Sequence, residues 1–168
     1  MAITFKKKDK ERGDRFLKLI EENQEQLYKM AYSYVKNKDD ALDIVQDAIY
    51  KAYISYNKVK NAKYAKTWLI RILINTSLDF LRKNKKMLSL DMDYMENVVD
   101  TKSENHHTKL MLEEALDKLN EKQKTVIILR YFEDMKLNDI ASTLNTPVST
   151  IKSILYRALD EMKIYIKE

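Results

Sequence analysis

Apolar residues recur along this chain at spacings of three, four and seven, the period of helices that each bury one face. In residues 14–35 the stripe is Phe16, Ile20, Leu27, Met30, Ala31 and Tyr34. Lys36, Asn37 and Lys38 interrupt it, and Asp39 is placed to cap the next helix. That helix, residues 40–56, turns Ala41, Val45, Ala48, Ile49, Ala52 and Tyr56 inward, and its alanines permit close helix approach. Residues 57–64 carry no stripe and read as a loop. Helix returns over 65–86, with Leu69, Ile70, Leu73, Ile74, Ser77, Phe80 and Leu81 on the core side. Periodicity then fades over 87–108. It resumes at 109–119 with Leu112, Ala115, Leu116 and Leu119 inward. Asn120 and Gln123 have the spacing of a capping box. They open a helix over 121–132 packed by Val126, Ile127, Leu129 and Tyr131, and residues 133–136 read as a turn.

The last pattern is the sharpest. Residues 137–144 form a short amphipathic helix, and a second follows with Val148, Ile151, Leu155, Ala158, Leu159 and Met162 on one side. Between them Asn145 stands where a tight turn needs a residue tolerant of positive φ. Thr146 is a candidate N-cap, with Pro147 at the first helical position. The outer side of the second helix presents Ser149, Thr150, Lys152, Ser153, Tyr156 and Arg157, side chains suited to base edges and phosphates. This is a helix-turn-helix pattern with a recognition helix. Its plainer alternative is an αα-hairpin in a bundle.

Composition narrows the class. The 168 residues include one Gly, one Pro and no Cys, too few turn-formers for the hairpins of a β protein. The expected fold is all-α. There is no disulfide or thiolate chemistry, and no apolar run reaches the roughly 18 residues of a membrane span. The first residues are basic without an apolar segment, so a secretory signal is not expected and a cytoplasmic location is. Charge is uneven. Residues 1–90 hold 20 Lys/Arg against 11 Asp/Glu, 91–104 hold 1 against 5, and 105–168 hold 10 against 10. The basic half favours a polyanion, yet the helix-turn-helix lies in the neutral half.

These features divide the chain into a flexible basic tail (residues 1–13), a helical domain (14–86), an acidic linker (87–108) and a helix-turn-helix domain (109–168). In the first domain, Asp43, Gln46, Asp47, Tyr50 and Ile54 line one outer face of the second helix. An acidic face with an apolar fringe suits a basic protein partner, and a solvated face is the alternative. The loop offers Asn57, Lys58, Lys60, Asn61, Lys63 and Tyr64: lysines that can follow phosphates, amides that can read an unpaired base, and a ring that can stack. Trp68, Arg71, Asn75, Asp79, Arg82 and Lys83 continue from it along the next helix. The linker acids are Asp91, Asp93, Glu96, Asp100 and Glu104. His106 and His107 lack a nearby third ligand, so no metal is expected. No phosphate loop, cofactor motif or catalytic pair is evident, and no small-molecule substrate or enzymatic activity is expected.

Four motifs in order carry a resemblance. They are Asp40-Ala-Leu-Asp-Ile-Val-Gln-Asp47; Thr67-Trp-Leu-Ile-Arg-Ile72 with Leu78-Asp-Phe-Leu-Arg82; Leu119-Asn-Glu-Lys-Gln-Lys-Thr-Val126 with Leu129-Arg-Tyr-Phe-Glu-Asp134; and Asp139-Ile-Ala141 with Pro147-Val-Ser-Thr-Ile-Lys-Ser153. Together they resemble bacterial sigma factors of the extracytoplasmic-function (ECF) type, in the sigma-70 family. The resemblance implies that Asp43, Gln46, Asp47 and Tyr50 bind the clamp helices of core RNA polymerase. It implies that the 57–64 loop with Trp68, Arg71, Asn75, Arg82 and Lys83 melts and holds the −10 element as single strand. Ser149, Thr150, Lys152, Ser153, Tyr156 and Arg157 would then read the duplex −35 element. Partners implied are core polymerase (its largest and flap-bearing subunits), promoter DNA, and an anti-sigma factor that could hold the protein at a membrane. The linker resembles the segment that threads the RNA exit path. Three positions depart from the family pattern: Ile154 where Arg is common, Asn145 for the turn Gly, and Lys136 where Ser often caps. The rival reading is a stand-alone helix-turn-helix regulator binding operator DNA as a dimer, which the neutral charge of residues 105–168 disfavours.

Overall fold

Two residues, Lys36 and Asn37, reverse the chain between its first two helices. Lys36 takes a positive φ of 54°, and its N–H donates to the Tyr32 carbonyl at 2.8 Å. Asn37 is the N-cap of the second helix, accepting from the Asp40 N–H at 3.0 Å. The cap expected at Asp39 therefore sits two residues earlier; Asp39 lies in the first turn, where its charge complements the helix dipole.

In the computed structural model, backbone is described for residues 2–90 and 104–166, and side chains for 7–87 and 107–166. The described residues are helical, with no strand among them: α1 (Ala2–Val35), α2 (Lys38–Ser55), α3 (Ala65–Leu90), α4 (Glu104–Lys118), α5 (Glu121–Ile127), α6 (Leu137–Leu144) and α7 (Val148–Ile166). They divide into two compact units, Met1–Leu81 and Arg82–Glu168.

In the first unit α1 and α2 pack as a hairpin. Phe16, Leu27, Met30, Ala31 and Tyr34 of α1 are buried, as are Ala41, Ile44, Val45, Ala48 and Ala52 of α2. Leu69, Ile70, Leu73 and Ile74 bring in α3. Each fully buried aliphatic side chain contributes about 1.5–3 kcal/mol. The α2 stripe differs from its sequence reading at three positions: Ile44 is buried, whereas Ile49 and Tyr56 are half-buried. A further difference concerns residues 2–13, which are helical rather than a tail. Lys, Glu and Arg are good helix formers, and one Gly costs only about 1 kcal/mol. At the other end, α3 and α4 take up residues 87–90 and 104–108 of the expected linker. Four of its acids, Asp91, Asp93, Glu96 and Asp100, lie outside the described residues.

In the second unit α7 is the axis, packing against α4, α5 and α6. The capping box forms as expected: Gln123 N–H donates to Asn120 Oδ1 and Asn120 N–H to Gln123 Oε1, both at 3.0 Å. Two inward assignments fail. Leu112 is 37% exposed, because the α4 stripe runs through Ala115 and Leu116. Tyr131 is 57% exposed. It falls in a π-helical turn, Ile128–Phe132, whose extra residue per turn rotates the register after the buried Ile128 and Leu129.

The turn between α6 and α7 is a Schellman motif. Asn145 is left-handed (φ 49°, ψ 48°); its N–H donates to Ser142 O at 3.3 Å and the Thr146 N–H to Ala141 O at 2.9 Å. The second helix starts one residue later than expected, at Val148. Pro147 takes the N-cap place, its carbonyl accepting from Ile151 N–H at 3.0 Å. Thr146 Oγ1 instead donates to Leu144 O at 3.1 Å.

A residue in this conformation is strained unless it is Gly or Asn. Asn145→Ala is expected to lower stability by about 1 kcal/mol and Asn145→Gly to leave it unchanged or raised, read from urea unfolding of the full chain.

Candidate nucleic-acid interface

Helical spacing puts Asp43, Gln46, Asp47, Tyr50 and Ile54 within one arc of α2, opposite the alanine stripe. All five are exposed, Tyr50 at 64%. Asp47 Oδ2 pairs with Lys51 Nζ at 2.9 Å, and Lys51 Nζ donates on to Thr76 Oγ1 of α3 at 3.5 Å. The Asp47 carboxylate is thus held by a lysine that also reaches α3, while Asp43 and Gln46 stand clear of that pair along the face.

The loop after α2 is two 3-10 turns, Tyr56–Lys58 and Ala62–Tyr64. Val59 N–H donates to Tyr56 O at 3.1 Å, and the Asn61 side chain accepts from Lys63 N–H at 3.0 Å. These short bonds fold the segment without burying it. Asn57, Lys58, Lys60, Asn61, Lys63 and Tyr64 are all exposed. Lys63 Nζ lies 5.8 Å from the Tyr64 ring centroid. On α3, Trp68 is half-buried and Arg71 and Asn75 are exposed on the same side. The loop therefore leads into this side of α3, along which Asn75 lies about 15 Å from the helix start.

Sequence reasoning placed Phe16 and Tyr56 in core stripes and missed what they build together. Phe16 packs edge-on against Tyr53 (5.6 Å between centroids) and Tyr56 (5.1 Å), and Tyr56 continues to Trp68 at 6.0 Å. This chain of rings ties α1, the end of α2 and the start of α3 together at the root of the loop. Separations of this kind add about 0.5–1.5 kcal/mol per pair beyond area burial. The only signal in the sequence was a concentration of aromatic residues at 50, 53, 56, 64 and 68.

Arg82 and Lys83 fall just past the first unit and are exposed. Within the second unit Arg82 donates from Nε (3.1 Å) and Nη2 (2.6 Å) to the two carboxylate oxygens of Glu121. That hydrogen-bonded guanidinium holds the Glu121 carboxyl below the usual carboxylate range. In the same unit Ser149, Thr150, Lys152, Ser153, Tyr156 and Arg157 are exposed along one side of α7. Ser153 Oγ donates to Ser149 O at 3.1 Å. Ile154 is half-buried at the edge of this row. Lys136 makes no side-chain cap to α6.

Comparison with known proteins matches both units. The family model for sigma-70 region 2 fits residues 19–87, and that for sigma-70 region 4 fits residues 109–162. The chain is 46% identical over 147 residues to the RNA polymerase sigma factor SigV of Bacillus subtilis, covering 88% of each. The chain belongs to the sigma-70 family. It is 28% identical to the ECF RNA polymerase sigma factor SigW of the same organism, over the full length of both. Its fold is similar to that of the sigma factor RpoE from Bartonella quintana, solved with the anti-sigma factor NepR; the TM-score is 0.71 at 26% identity, covering 90% of this chain and 96% of that one. The protein is an ECF sigma factor, and its function is promoter-specific transcription initiation with core RNA polymerase. The dimeric stand-alone regulator has no comparable support.

Trp68 is the single tryptophan of this sigma factor, so its emission reports on the ring cluster alone. Tyr56→Ala is expected to shift Trp68 fluorescence to the red, and Tyr56→Phe to leave it in place; steady-state emission spectra of the folded variants check this.

Proposed function

We propose that the three exposed rows divide the work of this sigma factor. The observation that carries the reading is their segregation. An acidic and apolar row lies on α2, a lysine–amide–aromatic loop closes one end of the first unit, and a hydroxyl and basic row lies on α7. Each row suits a different partner surface.

Asp43, Gln46, Asp47 and Tyr50 bind the basic clamp helices of the largest polymerase subunit. Carboxylates at such a rim steer and orient association, while Tyr50 supplies apolar area. Lys58, Lys60 and Lys63 follow the phosphates of the −10 strand as it unpairs. Asn57 and Asn61 present amides to an unpaired base, and Tyr64 and Trp68 supply stacking faces, each worth about 1–3 kcal/mol per base. Arg71, Asn75 and Lys83 extend this track along α3. Arg82 contributes when it exchanges the Glu121 carboxylate for a phosphate. The α7 row enters the −35 major groove, with Lys152 and Arg157 fixing register on phosphates or guanine and the hydroxyls of Ser149, Thr150 and Ser153 reading base edges. Ile154 packs at the margin of this row and gives up a cationic contact there.

The sigma factor itself carries no catalytic group; polymerisation belongs to its partner. It acts in the cytoplasm. Because its structural neighbour RpoE was solved with an anti-sigma factor, an anti-sigma factor is proposed to hold this chain inactive until a stress or cell-envelope signal releases it. In this reading residues 14–86 carry the polymerase and −10 contacts, and residues 109–168 carry the −35 contact.

Co-elution with bacterial core RNA polymerase on a sizing column tests the first assignment. Asp43→Lys with Asp47→Lys is expected to abolish the complex while circular dichroism stays unchanged; retained co-elution of the folded double variant overturns it. For the α7 row, Arg157→Ala is expected to reduce transcription from a −35-dependent promoter by roughly 5- to 150-fold, the equivalent of about 1–3 kcal/mol for one good contact. Undiminished transcript yield removes Arg157 from the reading set.

A further inference from the structure

Helix α1 is longer than the unit needs. It has 34 residues and its antiparallel partner α2 has 18. With the reversal at Lys36 and Asn37, the end of α2 falls opposite about residue 18 of α1. The ring contacts of Phe16 with Tyr53 and Tyr56 fix that register. Everything before Phe16 therefore runs past the end of α2, by about 20 Å at 1.5 Å per residue. This is the end of the unit from which the 57–64 loop departs, because Tyr56 both touches Phe16 and opens the first turn of the loop. The projecting segment also lies upstream of residue 19, where the region 2 family match begins.

The projection has a charged face. Lys8, Arg12 and Arg15 are exposed and spaced four and three residues apart, which puts them within about 60° of one another on the helix. No acid lies in that arc. Glu11 borders the arc, three residues after Lys8 and four before Arg15, and Asp9 lies at its other border, three residues before Arg12; Asp14 falls among Lys7, Lys10 and Lys18 on a different side. The basic stripe is centred about 70° round the helix from Phe16, beside the side that docks at the root of the loop and not opposite it. Apart from half-buried Gly13, residues 7–15 are exposed. A helical turn with so little burial gains little from packing, and its stripe is suited to a polyanion.

We infer that the α1 projection is a phosphate-binding arm, in which Lys8, Arg12 and Arg15 contact the promoter DNA backbone beside the segment held by the 57–64 loop. The inference rests on the loop being the −10 contact. It adds a DNA-binding surface outside the matched region 2 segment, one that strengthens binding without reading sequence. Three phosphate contacts contribute about 0.7–0.9 each to the dependence of log affinity on log salt, the lower value for single strands.

The test uses holoenzyme reconstituted from core RNA polymerase and a fluorescein-labelled promoter fragment that the wild-type holoenzyme opens. Affinity is measured by anisotropy across a salt series. Lys8→Gln/Arg12→Gln/Arg15→Gln keeps good helix formers in place. It is expected to reduce the salt slope by about 2–3 and to weaken binding roughly tenfold or more at 0.1 M salt. Lys7→Gln/Lys10→Gln/Lys18→Gln removes the same charge from the other side and is expected to change the slope by less than about 1. Equal effects of the two triples, an unchanged slope in the first, or loss of core polymerase binding by it each overturn the arm. Lys58→Gln/Lys60→Gln/Lys63→Gln, measured alongside, reports on the loop separately. If it alone weakens binding, the loop reading stands and the arm falls; if it has no effect, the loop reading fails whatever the arm does.

Discussion

A helix can hide one stripe from water, and this chain has little besides helices with which to hide anything. The close packing of α1 on α2 is the contact on which the first unit depends. Ala31, Ala41, Ala48 and Ala52 are wholly buried. Alanine contributes little apolar area, but it lets two helix axes approach and bring larger neighbours such as Leu27, Met30 and Ile44 into contact. Enlarging one of these alanines would overpack the interface, at about 1–3 kcal/mol. The same constraint frees the far side of α2. Once the alanine stripe faces inward, Asp43, Gln46, Asp47 and Tyr50 can only face out. The acidic row is a geometric consequence of the core, and its residue types are left free for a partner to select.

The second unit solves the same problem around one axis. Because α7 packs against α4, α5 and α6, its buried side is fixed by three neighbours and its outer row is held in place. Rigid support of this kind matters for base reading, since a side chain must reach its base edge in a defined geometry. The turn at Asn145 and Thr146 sets the angle at which α7 leaves α6. Satisfying the carbonyls of Ala141 and Ser142 inside the turn removes the need for a longer connection. Buried polar side chains are handled locally too: Thr143 Oγ1 donates to Asp139 O at 2.8 Å, and Gln123 Nε2 to Glu161 Oε1 at 2.9 Å.

Much of this was legible in the sequence because it depends on period and local chemistry. The capping box at Asn120 and the left-handed Asn145 are local decisions, each made within four residues, and both are present. The stripes of α1, α2 and α7 follow from apolar spacing. What escaped reading was non-local or a matter of register. Asn37 and Asp39 are both good caps; the choice was made by Lys36 taking a left-handed turn, which no Gly or Asn signalled. The π-helical turn at Ile128–Phe132 re-aimed Tyr131 without a sequence mark. The helical start of α1 looked like a tail because no apolar stripe supports it, although nothing in residues 2–12 opposes helix. The ring chain from Phe16 to Trp68 joins three helices, and only tertiary structure brings residues 52 positions apart together.

The charge distribution acquires a physical reason once the two units are treated as tethered ligands of the same DNA. A neutral second unit binds duplex weakly by itself, since affinity from released counterions needs basic contacts. Joined to a basic unit and to polymerase, it meets its target at an effective concentration set by the connecting chain, in the millimolar range for short flexible connections. Weak intrinsic binding then becomes useful. A strongly basic helix-turn-helix would hold the free sigma factor on non-specific DNA, whereas a neutral one engages only when the rest of the assembly is in place. On the proposed assignment of the rows, specificity is concentrated in the α7 row, and affinity in the loop and helices of the first unit. In that proposal the uneven placement of 31 basic and 26 acidic residues divides holding DNA from reading it.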